Sequence, residues 1–417
     1  MNSQNISAKT AFLYKHLCII KKKGRYTGLY FVFFLVNVCV KSYLCMMAGL
    51  YIHIPFCQRR CSYCGFFSTT ALECREAYVD ALCHEMRLRG DATIRTIYLG
   101  GGTPSLLKPS MLRQLFTNIN EVFAVDPEAE VTMECNPDDV TDEYARVLCE
   151  VGVNRVSMGI QTFSDDRLRF LNRRHDSRQA MEAFGRLRHA GFTNISVDLM
   201  FGFPGETLAD WHDDIDRVLA LGMEHLSAYS LMYEEGTPLY RLLEKGEVDE
   251  VDDETYLSMY EMLVEALSKA GYEHYEISNF ALPGFRSRHN SSYWDGTPYI
   301  GIGAGAHSYD GDVRQSNVTD LERYMEAVSK DSLPCEVEVL TLTDHYNDMV
   351  TTALRTKEGI CLSDVERKFG RAFLDDMMEN SQPHLDAQRL VVERGFLHLT
   401  LKGIALSDMV MSDLVRV

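Results

Sequence analysis

Three cysteines, Cys57, Cys61 and Cys64, stand x3 and x2 apart in one short stretch, a spacing that lets their thiolates converge on a single soft metal centre. Zinc is one reading. A structural zinc site takes four ligands, usually as two CxxC pairs, whereas here Phe66 occupies the nearby position for a fourth cysteine and no second pair occurs. The other reading is a [4Fe–4S] cluster, in which three protein thiolates leave one iron open to a small molecule. A glycine triplet, Gly100 to Gly102, precedes Thr103 and Pro104 and would allow close approach of backbone to a ligand.

The elements that must carry these groups follow from the chain's rhythm. Runs rich in Val, Ile and Tyr at 49–54, 95–99, 130–134, 154–160, 194–199 and 225–230 alternate with helical patterns near 73–90, 109–123, 141–151, 177–190 and 207–221. Such alternation predicts an α/β fold with parallel strands and helical crossovers, a closed barrel or an open partial one. Six units fit more easily than eight, so a partial (β/α)6 TIM-type barrel is expected. Ligands of such folds gather at the carboxyl ends of strands. The polar motifs fall at those ends: the cysteines after Tyr51–Pro55, the glycines after Tyr98–Leu99, Cys135-Asn136-Pro137 after Glu134, Gln161 after Ile160, and Gly202-Phe203-Pro204-Gly205 after Asp198.

After Thr255 the pattern changes. Tyr256, Tyr260, Leu263 and Leu267 recur at helical spacing and read as core. His289 to His307 fits neither helical nor strand periodicity. The last stretch predicts two or three helices, a strand at Gly395–Thr400 and a closing helix, a small α+β domain of helix-and-wing character. The expected division is 1–46 as a leader outside the fold, 47–315 as the barrel and 316–417 as the C-terminal domain.

The leader reading rests on composition. Residues 1–46 hold seven bases and no acid, and the remainder holds 35 bases and 60 acids, a formal charge of −25. Gly28 to Val40 is apolar apart from Asn37, short of a spanning helix and followed by a poor signal-cleavage site at Ser42-Tyr43-Leu44-Cys45. Translation beginning at Met46 or Met47 is the favoured expectation. The acidic body argues against a nucleic-acid partner and shows no spanning segment. Scattered single cysteines such as Cys74, Cys83, Cys149 and Cys361 point to a reducing compartment, with cytoplasm as the working location and a peripheral position at the membrane left open.

Tyr51-Ile-His-Ile-Pro-Phe-Cys57-x3-Cys61-x-Tyr63-Cys64 resembles the cluster loop of radical S-adenosylmethionine (SAM) enzymes, in the branch containing oxygen-independent coproporphyrinogen III oxidase; the resemblance covers Met47 to the C-terminus. It implies that Cys57, Cys61 and Cys64 hold a [4Fe–4S] cluster whose open iron binds SAM, and that an electron from the cluster releases a 5′-deoxyadenosyl radical. It further implies that Tyr51, Gly101, Gly102, Thr103, Glu134, Gln161, Arg173 and Asp198 contact SAM. The residue types suit those contacts, with a guanidinium for a carboxylate, Gln161 and Asp198 for ribose hydroxyls, and Glu134 near a cationic group.

Within the branch, the oxidases carry a fourth cysteine where this chain has Phe66, and an N-terminal extension that the basic leader does not resemble. Arg288-His289-Asn290-Ser291-Ser292-Tyr293-Trp294 instead matches the HNxxYW motif of the haem chaperones of HemW type. The implied function is binding of haem and its transfer to acceptor proteins, respiratory enzymes among the candidates, with an electron donor serving the cluster. His289 is the candidate axial ligand, with Tyr293 and Trp294 as flat apolar surface and His307 as a second imidazole. The rival function is oxidative decarboxylation of coproporphyrinogen III propionates. An RNA-modifying activity is disfavoured by the charge.

Overall fold

The computed structural model describes residues 47–416; the leader, residues 1–46, and with it the expectation of a start at Met46 or Met47, lies outside that range. From the amino end come β1 (Met47–Ile54), α1 (Arg75–Arg89), β2 (Thr93–Gly101), α2 (Pro109–Val122), β3 (Ala124–Cys135), α3 (Asp142–Glu150), β4 (Arg155–Gln161), α4 (Ser177–Ala190), β5 (Ile195–Phe201), α5 (Leu208–Leu221) and β6 (His225–Ser230). Successive strands pair in parallel from β1 to β6, which is the partial barrel expected from the alternation. Local chemistry sets the helix ends. Thr141 caps α3, while Asp176 with Gln179 and Thr207 with Asp210 form reciprocal capping boxes at α4 and α5. Gly191 and Gly222 end those two helices in the left-handed conformation. On α2, Met111, Leu112, Leu115, Phe116 and Ile119 are buried at helical spacing, the stripe that packs on the sheet.

Beyond β6, α6 (Asp253–Lys269) buries Met259, Tyr260, Leu263 and Leu267 as expected of its stripe, and the fully buried Trp211 of α5 donates its indole N–H to the Met259 carbonyl at 3.0 Å. β7 (Glu273–Glu276) and β8 (Asn279–Ala281) then close one edge, β8 antiparallel to β6. The segment that fits no period folds as α7 (Arg288–Trp294), β9 (Tyr299–Ile302) and β10 (His307–Tyr309). β9 adds in parallel beside β1, on the side away from β2. β11 (Val313–Asn317), α8 (Leu321–Ser329) and β12 (Cys335–Val339) complete a twelve-stranded sheet of order β12-β11-β10-β9-β1-β2-β3-β4-β5-β6-β8-β7.

The expected domain boundary after residue 315 therefore falls inside β11, and the large sheet continues to Val339. Antiparallel pairing of β11 with β12 holds this edge together. The smaller layer follows: α9 (Leu342–Ala353), β13 (Ile360–Cys361), α10 (Leu362–Phe369), α11 (Arg371–Asp386), β14 (Leu390–Glu393), β15 (Phe396–Leu399) and α12 (Ser407–Leu414). Its three-stranded sheet, β13-β15-β14, flanks a core built on Tyr346, Val350, Met377, Leu397, Val410 and Leu414, the helix-and-wing arrangement read from the sequence. Among the described residues no helix is long and apolar enough to cross a membrane.

One buried polar cluster ties α1 to the late strands. Arg89 and Glu85 form an ion pair at 2.8 Å with both side chains almost wholly enclosed. Arg89 also donates to Gln315 at 2.8 Å and Asn317 at 3.0 Å, and Glu85 accepts from Asn317 at 2.8 Å, the Tyr324 hydroxyl at 2.6 Å and the Gly303 amide at 2.8 Å. Removing one partner leaves the other charge stranded in a dry interior, which costs roughly 3–5 kcal/mol. Glu85→Ala is expected to lower unfolding stability by about that amount, read from chemical denaturation midpoints at constant slope; a loss within the range of ordinary surface substitutions would show that the cluster is not what holds this edge.

Candidate functional site

At the carboxyl ends of the parallel strands lies a cavity of roughly 400 Å³, within the size range of small-molecule sites. Its lining brings together Cys57, Cys61, Cys64, Gly101, Gly102, Thr103, Glu134, Gln161, Arg173 and Asp198. These ten candidates come from six separate segments. Tyr51 lies beside this group, stacked on the lining residue Tyr98 with ring centroids 6.2 Å apart. His289, Tyr293, Trp294 and His307 do not line the cavity.

The cysteine loop leaves β1 and is pinned on two sides. The Cys57 amide donates to the Thr69 carbonyl at 2.9 Å and the Thr69 amide to the Pro55 carbonyl at 2.7 Å, so the loop closes on itself. The Ser62 amide and hydroxyl donate to the carbonyls of Leu171 and Phe170 at 3.1 Å each, and the Asn172 side chain reaches the Arg60 carbonyl at 2.8 Å. Two donors point at sulfur: Thr103 Oγ1 at Cys57 Sγ, 3.5 Å, and Arg173 Nη1 at Cys61 Sγ, 3.6 Å. Burial pushes the Cys57 and Cys64 thiols up from their ordinary value. A bound cation reverses that cost by pairing with thiolate. Among the described residues no group of three or more His, Cys, Asp or Glu is gathered to hold a single metal ion. Thiolates on a four-iron cluster each bind a different iron, so the donor set fits a cluster without converging on one point.

The glycine loop sets the opposite wall. The Gly102 amide donates to the Ile54 carbonyl at 2.9 Å, and a Cβ on Gly102 would stand 2.8 Å from the Pro55 carbonyl carbon and 3.0 Å from Cys57 Sγ. Gly101 has φ +115, and a Cβ there would meet the His53 ring at 2.6 Å. His53 is itself fixed: Nε2 donates to the Phe67 carbonyl at 3.1 Å, leaving Nδ1 to accept from the Tyr51 hydroxyl at 2.9 Å. No side chain fits between the two loops.

The electrostatics come from carboxylates facing the cavity. Glu134 accepts from the Tyr98 hydroxyl at 2.8 Å and the Gly101 amide at 3.1 Å, and burial pushes its carboxyl up to about 7. Asp198 accepts from the Ser157 hydroxyl at 3.2 Å, and burial raises it to about 6. Arg173 crosses the cavity wall, donating to the Gly159 carbonyl at 2.7 Å and to the Asn136 side chain. Its Nε atom has no protein partner. Gln161 holds φ +72, uncommon for a residue with a side chain, at an irregularity in the β4–β5 pairing. A positive centre flanked by carboxylates on one side and a guanidinium on the other suits a zwitterionic ligand. Sequence reasoning missed Tyr98, Ser157 and Tyr229; the two-residue strand period, which puts Tyr98 and Gly100 on one face, was the available signal.

The HNxxYW segment is placed differently from the expectation. His289 is fully buried, with Nδ1 against the Thr96 hydroxyl at 2.8 Å and Nε2 against the Tyr293 hydroxyl at 2.9 Å. Desolvation lowers its imidazole to about 3, so it is neutral at physiological pH. Both of its nitrogens are engaged by hydroxyl groups. Tyr293 meets Tyr299 edge-on at 4.8 Å, and Trp294 lies under the Arg355 guanidinium at 4.9 Å, a contact that joins α7 to the C-terminal layer. His307 is exposed at the start of β10.

Comparison with known proteins follows the same division. The radical SAM superfamily model matches residues 51–218, and the HemN C-terminal domain model matches 340–406. A protein named heme chaperone HemW from Lactococcus lactis is 36% identical over 359 residues, covering 86% of this chain and 94% of that protein. One of the same name from Bacillus subtilis is 36% identical, covering 87% and 95%. The solved structure of coproporphyrinogen III oxidase (HemN) from Escherichia coli superposes with a TM-score of 0.78 at 23% identity over 90% of this chain and 92% of its own, a likeness of fold.

The raised carboxyls carry a pH signature. Glu134 holds a proton in the folded state up to about 7, while an unfolded glutamate loses it near its ordinary value. Between those two values the folded state binds more protons, so stability of the cluster-free protein falls as pH rises through that window. Glu134→Gln is expected to make the fall shallower, read from denaturation midpoints at stepped pH; an unchanged slope would place the Glu134 carboxyl in contact with bulk water.

Proposed function

We propose, on the premise that this chain belongs to the radical SAM superfamily and within it to the HemW family, that it binds haem and transfers it to acceptor proteins. The observation that carries the reading is the identity of 36% with proteins named heme chaperone HemW, spread over 94–95% of their length. Phe66 supports it: the side chain in the fourth-cysteine position is a phenyl group 71% exposed at the cavity mouth.

Membership implies SAM and a [4Fe–4S] cluster. When bound, these supply one-electron chemistry at the sulfonium centre of SAM. The residues present fit them. Cys57, Cys61 and Cys64 would each hold one iron. The glycine backbone at 101–102 and Thr103 would admit the methionine end, with Glu134 accepting from its ammonium and Arg173 pairing with its carboxylate. Gln161 and Asp198 would take the ribose hydroxyls, and Tyr51 would brace the floor through His53. The Thr103 hydroxyl favours thiolate at Cys57 through the sulfur contact already described. The nine described cysteines are all free thiols, which accords with a reducing compartment. An electron donor for the cluster and haem acceptors, respiratory enzymes among them, are the implied partners.

Anaerobic haem titration of the reconstituted protein is expected to saturate at one haem per chain, and incubation with coproporphyrinogen III, SAM and reductant is expected to yield no vinyl product. Vinyl product without haem uptake would transfer the assignment to the oxidase. A second expectation concerns the cradle. Gly102→Ala forces a Cβ against backbone and Cys57 Sγ and should weaken SAM binding by about tenfold or more, equivalent to roughly 1.4 kcal/mol, measured by equilibrium dialysis on protein of matched iron content. Unaltered affinity would show that the two loops do not enclose SAM.

A further inference from the structure

The twelve-stranded sheet has two edges, and the fold protects only one of them. At β7 the C-terminal layer closes the ladder: the Ile277 amide donates to the Arg355 carbonyl and the Lys357 amide to the Tyr275 carbonyl, each at 3.0 Å, and Glu276 bridges Thr356 in the antiparallel sense. At the other end β12 pairs with β11 and with no other strand among the described residues. Edge backbone left unpaired is a template for a further strand.

Which groups β12 leaves open follows from its ladder. The Val318 amide donates to the Pro334 carbonyl and the Leu340 amide to the Asp312 carbonyl, each at 2.9 Å, and these two bonds bracket the strand. Antiparallel alternation then turns the backbone of Glu336 and Glu338 toward β11 and the backbone of Val337 and Val339 outward. The side chains are open as well. Val337 is 55% and Val339 72% exposed, although they share a face with Gln315 and Val313, their buried partners in the register. On the opposite face Glu336 and Glu338 are exposed. Glu338 meets Arg314 at 3.5 Å, but Asp348 claims the same guanidinium, so this edge carries more acid than base.

That pattern selects the occupant. A second copy paired antiparallel through β12 would bring the glutamate faces of the two copies together, and like charges directly opposite destabilise a strand pair. Opposite charges stabilise it. We propose that β12 receives an antiparallel strand from a partner protein, an extended segment in which β-branched side chains facing Val337 and Val339 alternate with lysine or arginine facing Glu336 and Glu338. Main-chain bonds to Val337 and Val339 supply the pairing, and the alternating charges select the partner. The inference does not draw on the haem reading, because β12 contributes no residue to the cavity lining.

The test uses the full chain at low salt, with capped fluorescent peptides as probes. A peptide of alternating valine and lysine is expected to bind wild type, and one of alternating valine and glutamate is not. N-methylation of the valines, whose amides face β12, is expected to abolish binding, whereas N-methylation of the lysines, whose amides face away, is not. Bound peptide is expected to slow hydrogen exchange at the Val337 and Val339 amides. Val337→Pro removes an outward N–H and keeps the pairing with β11, and is expected to weaken the valine–lysine peptide at least tenfold. The Glu336→Lys/Glu338→Lys double variant adds no backbone constraint and is expected to reverse the preference between the two peptides. Absence of binding to wild type, equal binding of the two N-methylated forms, or an unreversed preference in the double variant would overturn the proposal. A concentration-dependent dimer of wild type that Val337→Pro dissolves would also overturn it, by making a second copy the occupant.

Discussion

The site depends on one close approach: two loops at the ends of adjacent parallel strands meet where no Cβ can stand. β1 and β2 run in register from Gly49 opposite Thr96 to Ile54 opposite Gly101, so the cysteine loop and the glycine loop leave the sheet side by side. The Gly102 amide closes on the Ile54 carbonyl, and the space that its side chain would take is filled by Pro55, Phe56 and Cys57. Parallel pairing alone brings the loops near each other. The absence of side chains lets them touch, and the contact fixes Cys57 against Thr103 before any metal binds.

Beneath this contact the barrel floor is polar, which is expensive unless each group is matched. Glu130 accepts from the amides of Arg288 and His289 at 2.9 Å each, giving the start of α7 the anion that helix termini favour. Ser196 and the Tyr275 hydroxyl hold the two nitrogens of His225 at 2.8 and 2.7 Å. Arg155, 1% exposed and opposite Thr132 in the β3–β4 register, makes no ion pair among the described residues. Its charge acts over a distance. It eases the carboxyls of Glu134 and Asp198 toward ionisation and discourages protonation of His225 and His289. Burial remains the larger influence on all four groups, raising the two carboxyls and keeping the imidazoles neutral, and the enclosed cation offsets part of it at the acids and adds to it at the histidines.

How much of this the sequence disclosed follows the range of the interactions. Strand and helix positions through β6 were legible because they rest on local periodicity, and the caps at Thr141, Asp176 and Thr207 are local too. Glu134, Gln161, Arg173 and Asp198 were named as contacts through the family resemblance, and the cysteine and glycine motifs were legible because they coincide with strand ends. The segment from His289 to His307 was not, because its structure rests on distant partners. α7 is fixed by Glu130, more than 150 residues earlier in the chain, and β9 finds its place by pairing with β1. Strand β11, next to the edge, is likewise defined by β12 and by Arg89, so composition gave no sign that the large sheet extends past residue 315.

The HNxxYW segment illustrates how a helix sorts a short run of side chains over its faces. Histidine, tyrosine and tryptophan in one short run have the composition of a haem pocket, but a helix distributes neighbours over different faces. His289 and Tyr293, four residues apart, share a face, and that face turns inward, where their ring contact at 5.2 Å is edge-on and their polar atoms satisfy each other. Trp294 is one position further round and meets Arg355 from the C-terminal layer instead. A ligand to an exchangeable cargo has to be reached without dismantling the fold. An imidazole that is enclosed, neutral and bonded at both nitrogens gives up two hydrogen bonds and its packing to reach iron, so ligation by His289 would carry that cost.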